Sequence, residues 1–238
     1  MMKRKLKTPN GVYTYKRRIL YIGIKVINKD IANENLQLLN SIFKKRGIKF
    51  GLIYGTLLGA IREKDFISHD EDIDLFILEE YRDKFLYSLF ELRKEGFEVV
   101  RDDRAGLISI MRKNEYLDFY FFKKYKTGLR ICSGLIMHES FFTNTIQYQF
   151  KGEYYDIPKD YEDFLVFEYG ENWNIPIKYT DFNVSPLKKY LFYIKEYIKD
   201  FLPERIFNCI KEKQKVKLLE DFQFKENRLN NYKNKKKQ

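Results

Sequence analysis

The apolar positions of this chain change period several times, and each change predicts an element. In DIANENLQLLNSIFKKRG (30–47), Ile31, Leu36, Leu39, Ile42 and Phe43 share one helical face, with Asp30 as the expected N-cap and Gly47 as the stop. IKFGLIYG (48–55) predicts a strand running into a small-residue turn, and TLLGAIR (56–62) a short helix that opens there. IDLFIL (73–78) is a continuous apolar run of β type, as expected of a central strand buried on both faces. Helical spacing returns over YRDKFLYSLFELRKEG (81–96) and closes on Gly96. Three β-like runs follow, FEVVR (97–101), LISIMR (107–112) and YLDFYFF (116–122), separated by the turn-like DDRAG and KNE.

Further strands are expected near 146–150 and 153–157, and a helix over DYEDFLVFEYG (160–170). SPLKKYLFYIKEYIKDFL (185–202) is an amphipathic helix by pattern, and 203–222 continues helically. Beyond about 223 the chain turns Asn- and Lys-rich, and a frayed end is expected. The order predicts an α+β fold: a mixed β-sheet flanked by helices, with C-terminal helices after it. Four segments result: a basic stretch 1–28, a core domain 29–180, helices over 181–222, and a basic, disordered tail 223–238.

Composition sharpens this only in places. Of 238 residues, 44% are hydrophobic and 17% aromatic, enough for a real core. The formal charge of +11 favours anionic partners, but eleven of the basic residues against four acids lie from Arg205 onward, so the excess is largely terminal. Two distant cysteines, Cys132 and Cys209, argue against a disulfide scaffold or a zinc site and suit a reducing cytoplasm. No apolar run reaches the roughly 18–20 residues that span a bilayer. ILYIGIKVI (19–27) is too short and too charged for a signal peptide, and basic residues up to Arg18 suit either an exposed segment or contact with anionic lipid.

The chemistry concentrates in YGTLLGAIREKDFISHDEDIDL (54–75), where Asp70, Glu71, Asp72 and Asp74 crowd the mouth of an apolar strand. Asp72 and Asp74 are two residues apart, so strand alternation points both carboxylates to one face. Two hard oxygen ligands there suit Mg²⁺ or Mn²⁺, which fill their other positions with phosphate and water. An isolated D-x-D also fits an acidic surface turn. Asp118, alone in YLDFYFF, changes the balance: beside 73–78 it becomes a third ligand or a base, whereas on an edge strand it would merely face solvent. Gly55 lets backbone approach a ligand, Thr56 opens a helix whose N–H groups suit phosphate, and Arg62 can offset phosphate charge. Lys64 suits either phosphate or plain solvation. His69 and His138 are the only histidines, and neither joins the catalytic set. Trp173 and the tyrosines suit an aromatic cage, though core packing explains each of them as well.

A small-residue turn, a D-x-D and a later Asp together form a nucleotidyltransferase-type pattern. The stretch 54–76 resembles the LicD family of phosphorylcholine transferases, related to fukutin, through Gly55, Thr56, Leu57, Leu58, Gly59, Ala60, Arg62, Asp70, Asp72, Ile73 and Asp74. Ser68 replaces the family's common proline, and Glu71 its frequent Asp. LDFYFF (117–122) resembles the family's later D-aromatic strand. Ile157, Pro158, Leu165, Tyr169, Gly170 and Trp173 resemble its IP…YG…W segment, so the likeness covers about 30–178. The resemblance implies a CDP-linked donor of choline or a polyol such as ribitol, with the phospho-alcohol passed to a hydroxyl of a cell-surface glycan or glycolipid (lipopolysaccharide, teichoic acid or capsule) and CMP released. Within it Asp72, Asp74 and Asp118 hold the metal and do the chemistry, and Gly55, Thr56 and Arg62 bind substrate. A true nucleotidyltransferase moving NMP from NTP would use the same carboxylates. A third class, a basic module docking on nucleic acid or membrane, rests on the terminal lysines alone. No nucleic-acid partner is expected, since that lysine run has few interleaved aromatics.

Overall fold

The computed structural model describes residues 3–20, 25–103, 105–176 and 185–237. Residues 21–24 of the segment tested as a leader, and the 180/181 domain boundary, lie outside the described residues. The basic N-terminal stretch, for which the residue pattern predicts no element, is a hairpin of β1 (Lys3–Thr8) and β2 (Gly11–Lys16). It packs beside the later helix 82–94, where Tyr13 is buried, donates to Glu98 at 3.1 Å and lies under the Arg93 guanidinium at 3.6 Å.

Next come α1 (Lys29–Arg46), β3 (Gly51–Leu52), α2 (Tyr54–Arg62), β4 (Ile73–Leu78) and, after a 3₁₀ turn, α3 (Arg82–Lys94). A meander follows: β5 (Glu98–Asp102), β6 (Leu107–Arg112), β7 (Glu115–Lys126), β8 (Leu129–Cys132) and β9 (Leu135–His138). The chain ends through α4 (Ser140–Thr143), β10 (Thr145–Phe150), β11 (Glu153–Pro158), α5 (Tyr161–Tyr169), α6 (Pro186–Phe201) and α7 (Glu204–Lys236). The N-cap of α1 is Asn28 rather than Asp30: its side chain accepts from the Ile31 N–H at 3.1 Å, which moves the start forward and leaves Asp30 in the first turn. Gly47 ends the helix as expected, in the left-handed region at φ 61°.

The sheet is mixed, ordered β10-β11-β3-β4-β7-β6-β5, with β8 and β9 continuing from the far half of β7. At its centre β4 and β7 run parallel, which accounts for sequences that are apolar on both faces apart from Asp74 and Asp118 where the two strands pair. Side chains alternate across β7. Phe119 and Phe121 face α1 and α3, with Phe119 4.8 Å from Phe85 and Phe121 5.1 Å from it. Tyr120 and Phe122 face the other way, onto Tyr54 at 4.9 Å and Phe142 at 4.1 Å. Asp118 shares this second face, the face that α2 covers.

The expected frayed tail is replaced by the last turns of α7. Its apolar residues are few but spaced seven apart: Phe222 and Leu229 are both buried, and Phe222 meets Phe167 of α5 at 5.8 Å. Lysines close the contact, Lys225 with Glu168 at 3.0 Å and Lys233 with Asp163 at 2.6 Å. Sparse apolar content is enough when a partner helix covers those positions. Leu229→Ala is therefore expected to cost about 2–4 kcal/mol in a denaturant titration, whereas a frayed tail would leave the midpoint unchanged.

Candidate active site

The parallel register sets Asp74 of β4 directly opposite Asp118 of β7. Asp72, two residues ahead of Asp74, points to the same side, and one carboxylate oxygen from each of the three lies within 4.8 Å of the others. The start of α2 fixes Asp74. The Gly55 N–H donates to its carboxylate at 3.1 Å, and its own N–H donates to the Thr56 hydroxyl at 2.8 Å. This turn is tight. Tyr54 sits at φ 45°, and a Cβ on Gly55 would come within 2.5 Å of an Asp70 carboxylate oxygen.

Asp118 is held from the opposite side. Ser109 faces it across the β6–β7 register and donates to one oxygen at 2.5 Å, while Arg101 of β5 pairs with the other. Arg101 also donates to the Ser109 hydroxyl at 2.8 Å, closing a triangle. Asp118 thus lies in the centre of the sheet, not on a solvent-facing edge, and these partners offset the cost of burying it.

Burial dominates the electrostatics. It drives the Asp72 and Asp74 carboxyls well above their ordinary range, with Asp74, Asp118 and Asp70 adding repulsion around Asp72, and Asp70 and Asp118 around Asp74. The Gly55 N–H and the Tyr120 phenol act the other way on Asp74. Burial likewise pushes Asp70 up to about 6, with Glu71 and Glu63 contributing repulsion. Tyr116 and Tyr120 are also raised, so both phenols stay protonated at neutral pH.

A cavity of about 620 Å³ opens beside the triad, walled by Asp72, Asp118, Gly55, Arg101, Trp173 and Phe192. That size is right for a nucleotide-like ligand. Two oxygens on one Mg²⁺ lie at most about 4.2 Å apart, so the triad needs only a small adjustment to share an ion. Three hard carboxylates against one paired guanidinium are also the donor chemistry such a cation requires.

Not every candidate residue reaches this point. Gly55 and Arg62 border the cavity, but Thr56 is buried and meets Asp74 instead. Arg62 ends α2, donating to the Trp173 carbonyl at 3.2 Å and to Glu63 at 2.7 Å. Lys64 donates to the Tyr148 hydroxyl at 2.7 Å. His69 borders the cavity, whereas His138 packs among Phe141, Phe167 and Phe222 under α7. Sequence reasoning missed Arg101 and Ser109. Ser109 had a signal, a lone hydroxyl inside the apolar run LISIM, but Arg101 had none.

Buried carboxylates converging on a helix start at the centre of a mixed sheet define a nucleotidyltransferase-fold site. Residues 47–183 match the family model described as LicD/FKTN/FKRP, nucleotidyltransferase domain, and the chain belongs to that family. The mouse ribitol-5-phosphate transferase FKTN is 30% identical over 166 residues, covering 65% of this chain and 36% of that protein. The human protein of the same name is 27% identical over the same shares. The chain therefore spans about a third of the length of these relatives. An uncharacterised Rickettsia typhi protein, RT0683, is 29% identical over 87 residues, which is 37% of this chain and 27% of that one. Among solved structures, lincosamide adenylyltransferase LnuA with lincomycin bound overlaps with a TM-score of 0.43 at 11% identity, covering 67% of this chain and 93% of that one. That likeness is too loose to carry an assignment.

Asp72 and Asp74 hold their protons above the ordinary value of 3.8, so each favours the fold at low pH and loses that contribution as pH rises toward its folded value. In EDTA, Asp74→Asn is expected to melt about 3 °C or more above wild type, with a wider gap at pH 8 than at pH 5. Adding Mn²⁺ should stabilise wild type and leave the variant unchanged. Thermal melts at both pH values check this.

Proposed function

We propose that this chain catalyses metal-assisted transfer of a phosphorus-bearing group from a nucleotide-linked donor to a hydroxyl. The convergence of Asp72, Asp74 and Asp118 beside a nucleotide-sized cavity carries this reading. Those three residues would hold Mg²⁺ or Mn²⁺, which when bound offsets charge on the phosphate oxygens. Gly55 would border the phosphate at the cavity edge while its N–H holds Asp74, Thr56 acts through Asp74, and Arg62, paired with Glu63, would bring a guanidinium to the cavity wall. Asp118, aimed by Ser109, would take the proton of the attacking hydroxyl. Arg101 and Ser109 are positioning residues, and the protonated Tyr116 and Tyr120 phenols limit the negative charge that builds up around the triad.

Two forms of this reaction differ in which phosphorus is attacked. Transfer of a nucleotide from an NTP has the broader support, because the matching family model is named for a nucleotidyltransferase domain. Transfer of a phospho-alcohol from a CDP-linked donor to a surface glycan, releasing CMP, is the finer proposal. It is supported by relatives named ribitol-5-phosphate transferase. A basic nucleic-acid module has less behind it, since Lys233, Lys235 and Lys236 are paired with Asp163, Glu171 and Glu162.

Incubation with CDP-ribitol, CDP-choline and the four NTPs separates the two forms: CMP release marks the first kind of donor, pyrophosphate release the second. With the active donor, Asp74→Asn is expected to lose turnover by about a hundredfold or more, and Ser109→Ala or Arg101→Gln by about 10- to 100-fold. Full metal-dependent turnover in Asp74→Asn would remove the reading.

A further inference from the structure

The helix α6 carries an apolar face that the rest of the described chain leaves uncovered. Leu187, Tyr190, Leu191, Ile194 and Ile198 are each between 38% and 66% exposed. Their spacing of three, four and seven residues gathers them on one side of the 16-residue helix. Scattered exposed apolar residues are ordinary, but five on one helix face form a patch that marks a contact surface. Lys188 and Lys195 are exposed on the flank of this stripe, at positions from which long stems reach past an apolar boundary. Tyr190 adds a phenol of the kind that sits at headgroup level. Phe192, which lies off this stripe, walls the cavity beside Asp72 and Asp118.

From this arrangement we infer that α6 lies in the plane of an anionic lipid surface, with its apolar face in the acyl boundary and its lysines at the headgroups. A second copy of the chain fits less well. A helix of this length offers about 250 Å² on one face, against roughly 800 Å² per partner in a stable interface. Paired antiparallel, two such faces would also bring their lysine flanks together. An interfacial helix needs only the apolar stripe and flanking cations, and within 185–202 four lysines stand against two acids, Glu196 and Asp200, a local positive balance that favours anionic lipid. No helix among the described residues is long and apolar enough to cross a membrane. Docked this way, the helix that meets lipid is also a wall of the cleft, which brings the cleft close to hydroxyls carried on the membrane. The docking itself does not rest on the proposed chemistry.

Vesicle flotation of the full chain tests it, with phosphatidylcholine alone and with an equal mixture of phosphatidylcholine and phosphatidylglycerol. Wild type should float with the mixture and not with phosphatidylcholine. The decisive variant is Leu191→Lys with Ile194→Lys, which adds positive charge while removing apolar surface from exposed positions. Insertion of the face predicts that its binding falls by about tenfold or more. Circular dichroism confirms that the variant is folded. Stronger or unchanged binding would mean that bulk charge attracts the protein, and would overturn the proposal. So would a wild type that fails to float, or a dimer in light scattering that the variant dissolves while flotation is absent.

Discussion

Three acids brought together in the interior repel one another, and everything around them is arranged to hold them there. The parallel pairing of β4 with β7 puts Asp74 against Asp118 and cannot slip by one residue without turning one of them to the opposite face. On one side α2 begins at a strained tyrosine and a glycine whose missing side chain makes room for Asp70. On the other, Ser109 and Arg101 grip Asp118. A protein built for stability alone would have no reason to keep such a cluster, because apolar residues fill a sheet centre without repulsion. Its presence fits a cation that would make the cluster favourable when bound.

Much of the fold was readable from periodicity. The run IDLFIL is β4 residue for residue, and the three β-like runs after Gly96 became β5, β6 and β7. These strands declare themselves because burial on both faces keeps most of their positions apolar, the site residues excepted. The N-terminal hairpin did not declare itself. Alternating lysines hide its single buried column, of which Tyr13 is the anchor. The end of α7 was missed for a related reason: its helix depends on α5, and its own sequence holds too few apolar residues to announce the contact.

The site was legible in its ligands and opaque in its supports. A carboxylate inside an apolar run is costly enough to stand out, so Asp74 and Asp118 could be named. Thr56 suggests a phosphate contact because the opening of a helix looks the same in sequence whether it meets a ligand or a neighbouring strand. Here the Thr56 hydroxyl accepts the Asp74 N–H. Arg101 could not be found at all, since an arginine at the end of a short strand is ordinarily solvated. Only the β5–β6–β7 register brings it back to Asp118.

The central claim is that the three aspartates form one divalent-cation site whose ligands give up protons when the ion enters. Calorimetric titration of Mn²⁺ into the wild type near neutral pH, run in two buffers of different ionisation enthalpy, reads both ion stoichiometry and protons released. The account predicts a single ion with net proton release, and loss of binding in Asp72→Asn. Binding without proton release, or binding that survives in that variant, would contradict it.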